Sequence, residues 1–431
     1  MQYQLKDLPA LLRTPVGRMK FYRGVGYRLW PVISYVAMMY RLVFIRKTKL
    51  IAVVGSFGKS TTMRAIIAAL GGAAPQKPNR NSYTGVAAKL LRTPPGLRYA
   101  VIEVGIDGCG QMARYARMLR PDITVVTSIG SEHNRSLKTL NVTRKEKSEM
   151  VKALPVTGTA VINGDDPNVI WMIPLTKARI IKFGFSEIND IRASRIHLDW
   201  PRGTDFRLHI NGETHDVKTR LSGKNGVYAA LAALAVALSE GLAMRDILPG
   251  IASLPPTPGR LAPIELENGA ILLSDEFKGS LETIDSALDL LEEIPAKRKI
   301  VVMGEVSEPI GPQGPVYRRI GERIGRIASK AVFLGGNFKR YAAGTLRGGL
   351  SKDNIVNAGR DVLKTAELLK DELKAGDVVL IKGRSEQRLD RIALVLKGKK
   401  VLCGIDSCRA AVRCDQCPML ITGWTVLKVI I

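Results

Sequence analysis

Acidic residues are scarce in this 431-residue chain: 39 Asp and Glu stand against 65 Lys and Arg, a formal charge of +26 at pH 7. An imbalance of that size argues for an anionic partner, whether nucleic acid, a membrane surface or a phosphate-rich substrate. No nucleic-acid recognition motif accompanies the charge, which disfavours the first of these. Low-complexity segments are absent, and 46% hydrophobic content excludes a disordered or fibrous chain. No apolar run near the N-terminus is long enough to span a bilayer; Leu29–Tyr40 stops at Arg41. No small-residue cleavage site follows it, so no secretory leader is expected. With five cysteines and no secretion signal, the expected compartment is reducing and cytoplasmic, and disulfides are not expected.

What is present is unevenly placed. Met1 to Leu50 holds ten Lys or Arg and one acid, Asp7, around the aromatic and apolar stretch that begins at Leu29. Two readings fit that composition: a helix lying peripherally on the inner face of an anionic membrane, or an amphipathic helix packed on the body of the protein. Four cysteines, Cys403, Cys408, Cys414 and Cys417, crowd into 15 residues near the C-terminus, while Cys109 stands alone. Four thiolates so spaced could hold Zn²⁺ or remain free.

Val53-Val54-Gly55-Ser56-Phe57-Gly58-Lys59-Ser60-Thr61-Thr62 is the most informative stretch. An apolar strand pattern, Leu50 to Val54, precedes it and a helical pattern, Thr62 to Leu70, follows. Glycines in such a place let backbone N–H groups close on an anion at a helix N-terminus. Lys59 would reach the β- and γ-phosphates, and Ser60 or Thr61 would hold Mg²⁺. The spacing is shorter than G-x-x-x-x-G-K-[ST], so strand and helix context carries the assignment.

Strands and helices then alternate: strands 99–104, 122–127 and 159–163, with helices 111–119 and 144–154 between them. This pattern means a mostly parallel sheet with ligands at the carboxyl ends of its strands. Short alternating strands follow from about Phe183 to Leu221, then an apolar helix, Val227 to Leu238. Leu254-Pro255-Pro256-Thr257-Pro258-Gly259 marks a domain boundary. A second α/β unit follows, with strands near 270–273, 299–303, 331–334 and 377–381. Glu103 ends an apolar strand, where a carboxylate is costly unless it meets water or a cation. His133 lies just past the next strand, in reach of a metal or phosphate. Lys147, read alone, belongs to a solvated helix face, and Asn163 to Pro167 to a turn.

The order G-x-x-G-K-[ST]-T, Glu at a strand end, loop His, helix Lys and N-x-D-D-P resembles the Mur ligase superfamily, and within it the MurF-like branch. Pro78 to Val86 resembles its N-x-x-x-G segment, Gly223-Lys224-Asn225 its G-H-N helix start, and Gly259-Arg260-Leu261 its G-R-L junction. Ser274 to Lys278, Met303 to Glu308 and Ala375 to Gly383 resemble three further motifs, so the likeness runs from about Lys49 to Lys397. The resemblance implies a central P-loop parallel-sheet ATPase domain and a smaller doubly wound C-terminal α/β domain. It implies ATP and Mg²⁺ as cofactors, and amide formation through an acyl phosphate. Lys59, Glu103, His133 and Lys147 would be catalytic. Gly55, Ser56, Phe57, Gly58, Lys59, Ser60, Thr61, Asn225, Arg260 and Asp275 would bind the nucleotide. Ser60, Thr61, Glu103, His133 and a carbamylated Lys147 would hold Mg²⁺.

Departures from the family pattern shape the substrate. About 48 basic, apolar residues stand where relatives carry a UDP-sugar-binding domain. Phe277-Lys278-Gly279 replaces the triplet that helps select the amine, so amine identity does not carry over. The expected partners are an amino acid or peptide and an anionic or lipid-linked acceptor. The domains expected are 1–48, 49–256, 257–400 and 401–431. Two other functions fit the residues less completely: a basic P-loop NTPase binding nucleic acid, and an inactive ligase-like subunit binding a partner.

Overall fold

The computed structural model describes residues 8–13, 15–75, 81–131, 134–309, 311–410 and 412–422. The chain forms two compact units, Gly26–Thr257 and Met1–Val25 with Pro258–Ile431.

The Gly26–Thr257 unit is built on eight strands. They are β1 (Lys49–Val54), β2 (Tyr99–Glu103), β3 (Ile123–Val126), β4 (Thr159–Asn163), β5 (Arg179–Gly184), β6 (Ile191–Asp199), β7 (Gly203–Ile210) and β8 (Glu213–Thr219). Their spatial order is β2-β1-β3-β4-β5-β6-β7-β8. All pairs are parallel as far as β6; β6–β7 and β7–β8 are antiparallel. Leu50 to Val54 are buried on both faces, which is why β1 reads as a continuous apolar run. The chain passes from β1 outward to β2 and returns to β3 on the other side of β1. That reversal opens a crevice above β1.

One face of this sheet is covered by helices Lys59–Ala69 and Gly223–Ser239, the latter buried along most of its length. The other is covered by helices Trp30–Val43, Thr84–Leu91, Gln111–Leu119 and Leu140–Lys152. Trp30, Ala37 and Ile45 belong to that second core, so residues 26–48 are part of this unit and not a separate segment. Strand β5 was not legible in advance, because Arg179 and Lys182 interrupt its apolar residues.

The other unit carries β9 (Ala262–Glu265), β10 (Ile271–Asp275), β11 (Arg298–Met303), β12 (Lys330–Phe333), β13 (Ile355–Asn357) and β14 (Asp377–Lys382) in the order β13-β12-β11-β14-β10-β9. Only β9 runs antiparallel, at the edge. The cysteine-bearing segment belongs to this unit.

Candidate functional site

The loop after β1 is shaped by its glycines and tied to the strand beside it. Gly55 has φ +146°, and a Cβ there would lie 2.0 Å from Thr127 Oγ1. Gly58, at φ +83°, caps the helix that starts at Lys59, three residues earlier than periodicity alone predicts. Ser56 N–H donates to Ser128 O at 2.8 Å, Phe57 N–H to Ser128 Oγ at 3.1 Å, and Thr127 Oγ1 to Phe57 O at 2.6 Å. Residues just past β3 therefore fix the cradle, and Asn163 at the end of β4 donates to Thr127 O and steadies them.

Two buried ammonium groups meet this loop. Lys59 Nζ donates to Gly55 O at 2.7 Å and Ser56 O at 2.9 Å, folded back on the cradle it would share with an anion. Lys147 Nζ donates to Ser56 Oγ at 2.8 Å from the middle of helix Leu140–Lys152, and only 2% of the residue is exposed. The solvated-face reading of Lys147 is thus corrected, since its neighbours Lys145 and Glu146 lie on a different side of the helix. On the other flank Ser60 Oγ donates to Glu103 Oε2 at 2.7 Å, and Asn81 Nδ2 to Oε1 at 2.6 Å. Glu103 is 1% exposed at the end of β2, its cost offset by these donors.

Asn81 and Lys89 were not singled out from sequence. Asn81 gave a signal, its place in the N-x-x-x-G segment. Lys89 gave none, for it reads as the polar edge of helix Thr84–Leu91. Its ammonium is buried without a hydrogen-bond partner among the described residues, and burial lowers it to about 8 against the opposing pull of Glu103.

The remaining expected residues are more dispersed. Phe57 and Thr61 are half-buried in the loop and first helical turn, and Asn225 is exposed in the first turn of helix Gly223–Ser239. Tyr228, one turn on, donates its hydroxyl to Asp165 at 2.9 Å. His133 lies outside the described residues. In the other unit Arg260 lies over the Phe277 ring at 4.6 Å. Asp275 is buried, with Oδ2 2.6 Å from Lys382 Nζ and Oδ1 accepting from Leu261 N–H.

Of the two readings of the cysteine segment, zinc ligands or free thiols, the first gains no support among the described residues. Cys403, Cys408, Cys414 and Cys417 line one small cavity, but with the guanidinium groups of Arg388 and Arg391. Arg388 donates to the carbonyl oxygens of Cys408, Ala410 and Val412, and Arg391 to those of Cys403 and Ile405. Two fixed cations thus anchor this segment through its backbone, and burial pushes the Cys414 thiol well up. Among the described residues no three or more His, Cys, Asp or Glu are grouped to hold a metal ion.

Residues 35–237 match the model of the Mur ligase middle domain, the span that contains the loop, Glu103 and Lys147. Over that span the chain is similar to the Mur ligases. The chain is 30% identical over 279 residues to the UDP-N-acetylmuramoyl-tripeptide–D-alanyl-D-alanine ligase of Escherichia coli, covering 64% of this chain and 61% of that protein. The chain therefore spans less than two thirds of the length of that relative. Its fold is that of MurF from Acinetobacter baumannii, with TM-score 0.75, 22% identity and 86% and 81% of the two chains covered. MurF from Thermotoga maritima, solved in complex with ADP, superposes with TM-score 0.73 and 22% identity, over 86% of this chain and 84% of that one.

Proposed function

We propose that this chain is a Mur ligase, an ATP-dependent, ADP-forming carboxylate–amine ligase of the MurF type, making a peptide bond in cell-wall peptide synthesis. The observation that carries the reading is the meeting of Lys59, Lys147 and the Ser60–Glu103 pair around one glycine cradle. A simple anion-gripping loop needs no buried carboxylate beside it. The names of the relatives, which specify a UDP-N-acetylmuramoyl-tripeptide and D-alanyl-D-alanine, support the reaction class.

In the reaction so read, a substrate carboxylate oxygen bonds to the γ-phosphorus of ATP while the bond to the β-γ bridging oxygen breaks and ADP leaves. An amine nitrogen then attacks the acyl carbon, phosphate departs, and the nitrogen loses a proton. Loop N–H groups and Lys59 stabilise charge on the transferring phosphoryl oxygens. Lys147, held through Ser56, is a further proposed Mg²⁺ ligand in carbamylated form. The hydroxyl of Ser60 and the carboxylate of Glu103 are hard oxygen donors side by side, which suits Mg²⁺, with Thr61 and His133 as further proposed ligands. Such an ion supplies charge neutralisation between phosphate and carboxylate. Asn225 is the proposed adenine contact. The acceptor is proposed as an anionic or lipid-linked acid, a reading supported by the charge of +26.

The test is ADP release by the full chain with panels of carboxylates and amines. Release should require both co-substrates and vanish in Lys59→Ala. ATP turnover indifferent to any acceptor would overturn the ligase reading and favour the nucleic-acid-dependent NTPase.

A further inference from the structure

Helix Trp30–Val43 is built inside out. Its one charged residue, Arg41, points inward, 6% exposed. The guanidinium donates to the carbonyl oxygens of Leu119, Ile45 and Thr48 and pairs with Asp122 at 2.9 Å. Trp30 and Ala37 are buried on that same face. The opposite face carries no charge at all. Val32, Val36, Met39 and Val43 are 62%, 50%, 40% and 57% exposed, and with Leu29 they follow a 3-4-3-4 spacing that aligns them in one straight stripe. Tyr35 and Phe44, each 61% exposed, widen it. A helix on the surface of a water-soluble domain reverses this arrangement, with charge outside and the apolar stripe against the core. A contiguous exposed apolar patch marks an interaction surface.

Electrostatics selects the partner. Arg28 is exposed at one end of the stripe, and Arg46, Lys47 and Lys49 at the other. Between Asp7 and Glu103 the chain has sixteen Lys and Arg and no acid. The covering surface must therefore be apolar in the middle and anionic at its margins, which is the make-up of a lipid interface with acidic headgroups. A 14-residue helix is about 21 Å long, too short to cross a hydrocarbon core of roughly 30 Å, so it must lie in the plane of the interface. No described helix is long and apolar enough to span a membrane.

We propose that the outer face of helix Trp30–Val43 docks the Gly26–Thr257 unit onto an anionic membrane surface, with its stripe inserted among the acyl chains and its flanking cations on the headgroups. Burying several large side chains makes the apolar part decisive, and the cations make it salt-sensitive. The inward face of the same helix reaches toward the candidate site. Trp30 packs edge-on against Tyr83, two residues after Asn81, whose amide holds Glu103.

The test is flotation of the full chain with vesicles of phosphatidylcholine, with and without phosphatidylglycerol. The chain should float with the anionic vesicles and stay behind with the neutral ones, and added salt should weaken the binding. The double variant Val36→Glu/Met39→Glu should bind about tenfold more weakly or worse, with an unchanged melting temperature because both side chains are exposed. Arg46→Glu/Lys47→Glu should weaken binding and flatten the salt dependence, and it decides the matter should the first variant fail to fold. The proposal is overturned if the wild type ignores anionic vesicles or if the Val36/Met39 variant floats as well as the wild type. It is equally overturned if light scattering finds a dimer that this variant dissolves, because the stripe would then be covered by a second copy.

Discussion

At the carboxyl end of β1 the chain leaves two glycines and a curl of backbone around an opening, while at the ends of β10 and β14 it sets Asp275 against Lys382 at 2.6 Å. Both units are α/β sheets of mainly parallel strands, and both bury a lysine at these tips. In the second unit the lysine is consumed internally: Lys382 also donates to Lys278 O and Thr283 Oγ1, and its side chain is fully buried. In the first, Lys59 donates to Gly55 O and Ser56 O and Lys147 to Ser56 Oγ, so both lysines are turned onto the glycine loop itself. A parallel sheet supplies the place for a ligand, and the side chains at its tips decide whether that place is open or already filled.

The contrast can be broken at its strongest point first. Lys382→Met strands a buried carboxylate and should cost about 3–5 kcal/mol in urea unfolding, while Lys382→Met/Asp275→Leu should recover most of it. Next, Gly55→Ala puts a methyl group on Thr127 Oγ1 at a backbone angle hostile to side chains. It should weaken nucleotide binding by about a hundredfold, roughly 3 kcal/mol, in titration calorimetry. In the filled unit, Gly304→Ala meets only the end of the Gln387 side chain and should cost about 1 kcal/mol.

Two titrations sharpen the comparison further. Burial raises the Glu276 carboxyl from 4.5 to about 7, against the opposing pull of Arg413. The folded chain then holds a proton that the unfolded chain releases, so this contribution is full below the ordinary carboxylate range and lost as pH rises to about 7. Melting curves should show a fall of about 1–3 kcal/mol across that window, absent in Glu276→Gln. Lys89 has the opposite sign. Its ammonium is depressed from 10.5 to about 8, so the fold gains stability as pH rises through that range. Lys89→Met should raise stability at neutral pH by about 1–2 kcal/mol, and a loss would mean that the ammonium has a partner the fold depends on.

Most of the central sheet was legible because buried parallel strands are uninterrupted apolar runs, as in Leu50 to Val54. Strand β5 was hidden by Arg179 and Lys182, and β9 by being a four-residue edge. Among site residues, Lys59, Ser60 and Glu103 could be named from motif and position. Asn81 needed the fold to bring it to Glu103, and Lys89 left no trace in local pattern. Helix Trp30–Val43 misleads a reader of sequence, since Arg41 looks like the end of an apolar face and is in fact its buried anchor.

The order of residues along the chain determined the alternating architecture, the boundary near Thr257 and the glycine loop, since each rests on local backbone preference and hydrophobic period. Tertiary structure alone decided that Lys147 would turn inward to Ser56, that Arg41 would hide and expose an apolar stripe, and that two arginines would hold the cysteine segment through its backbone carbonyls. The reason is physical. A charge is placed by which carbonyls, hydroxyls and carboxylates the folded chain gathers around it, and those donors and acceptors come from residues far apart in sequence.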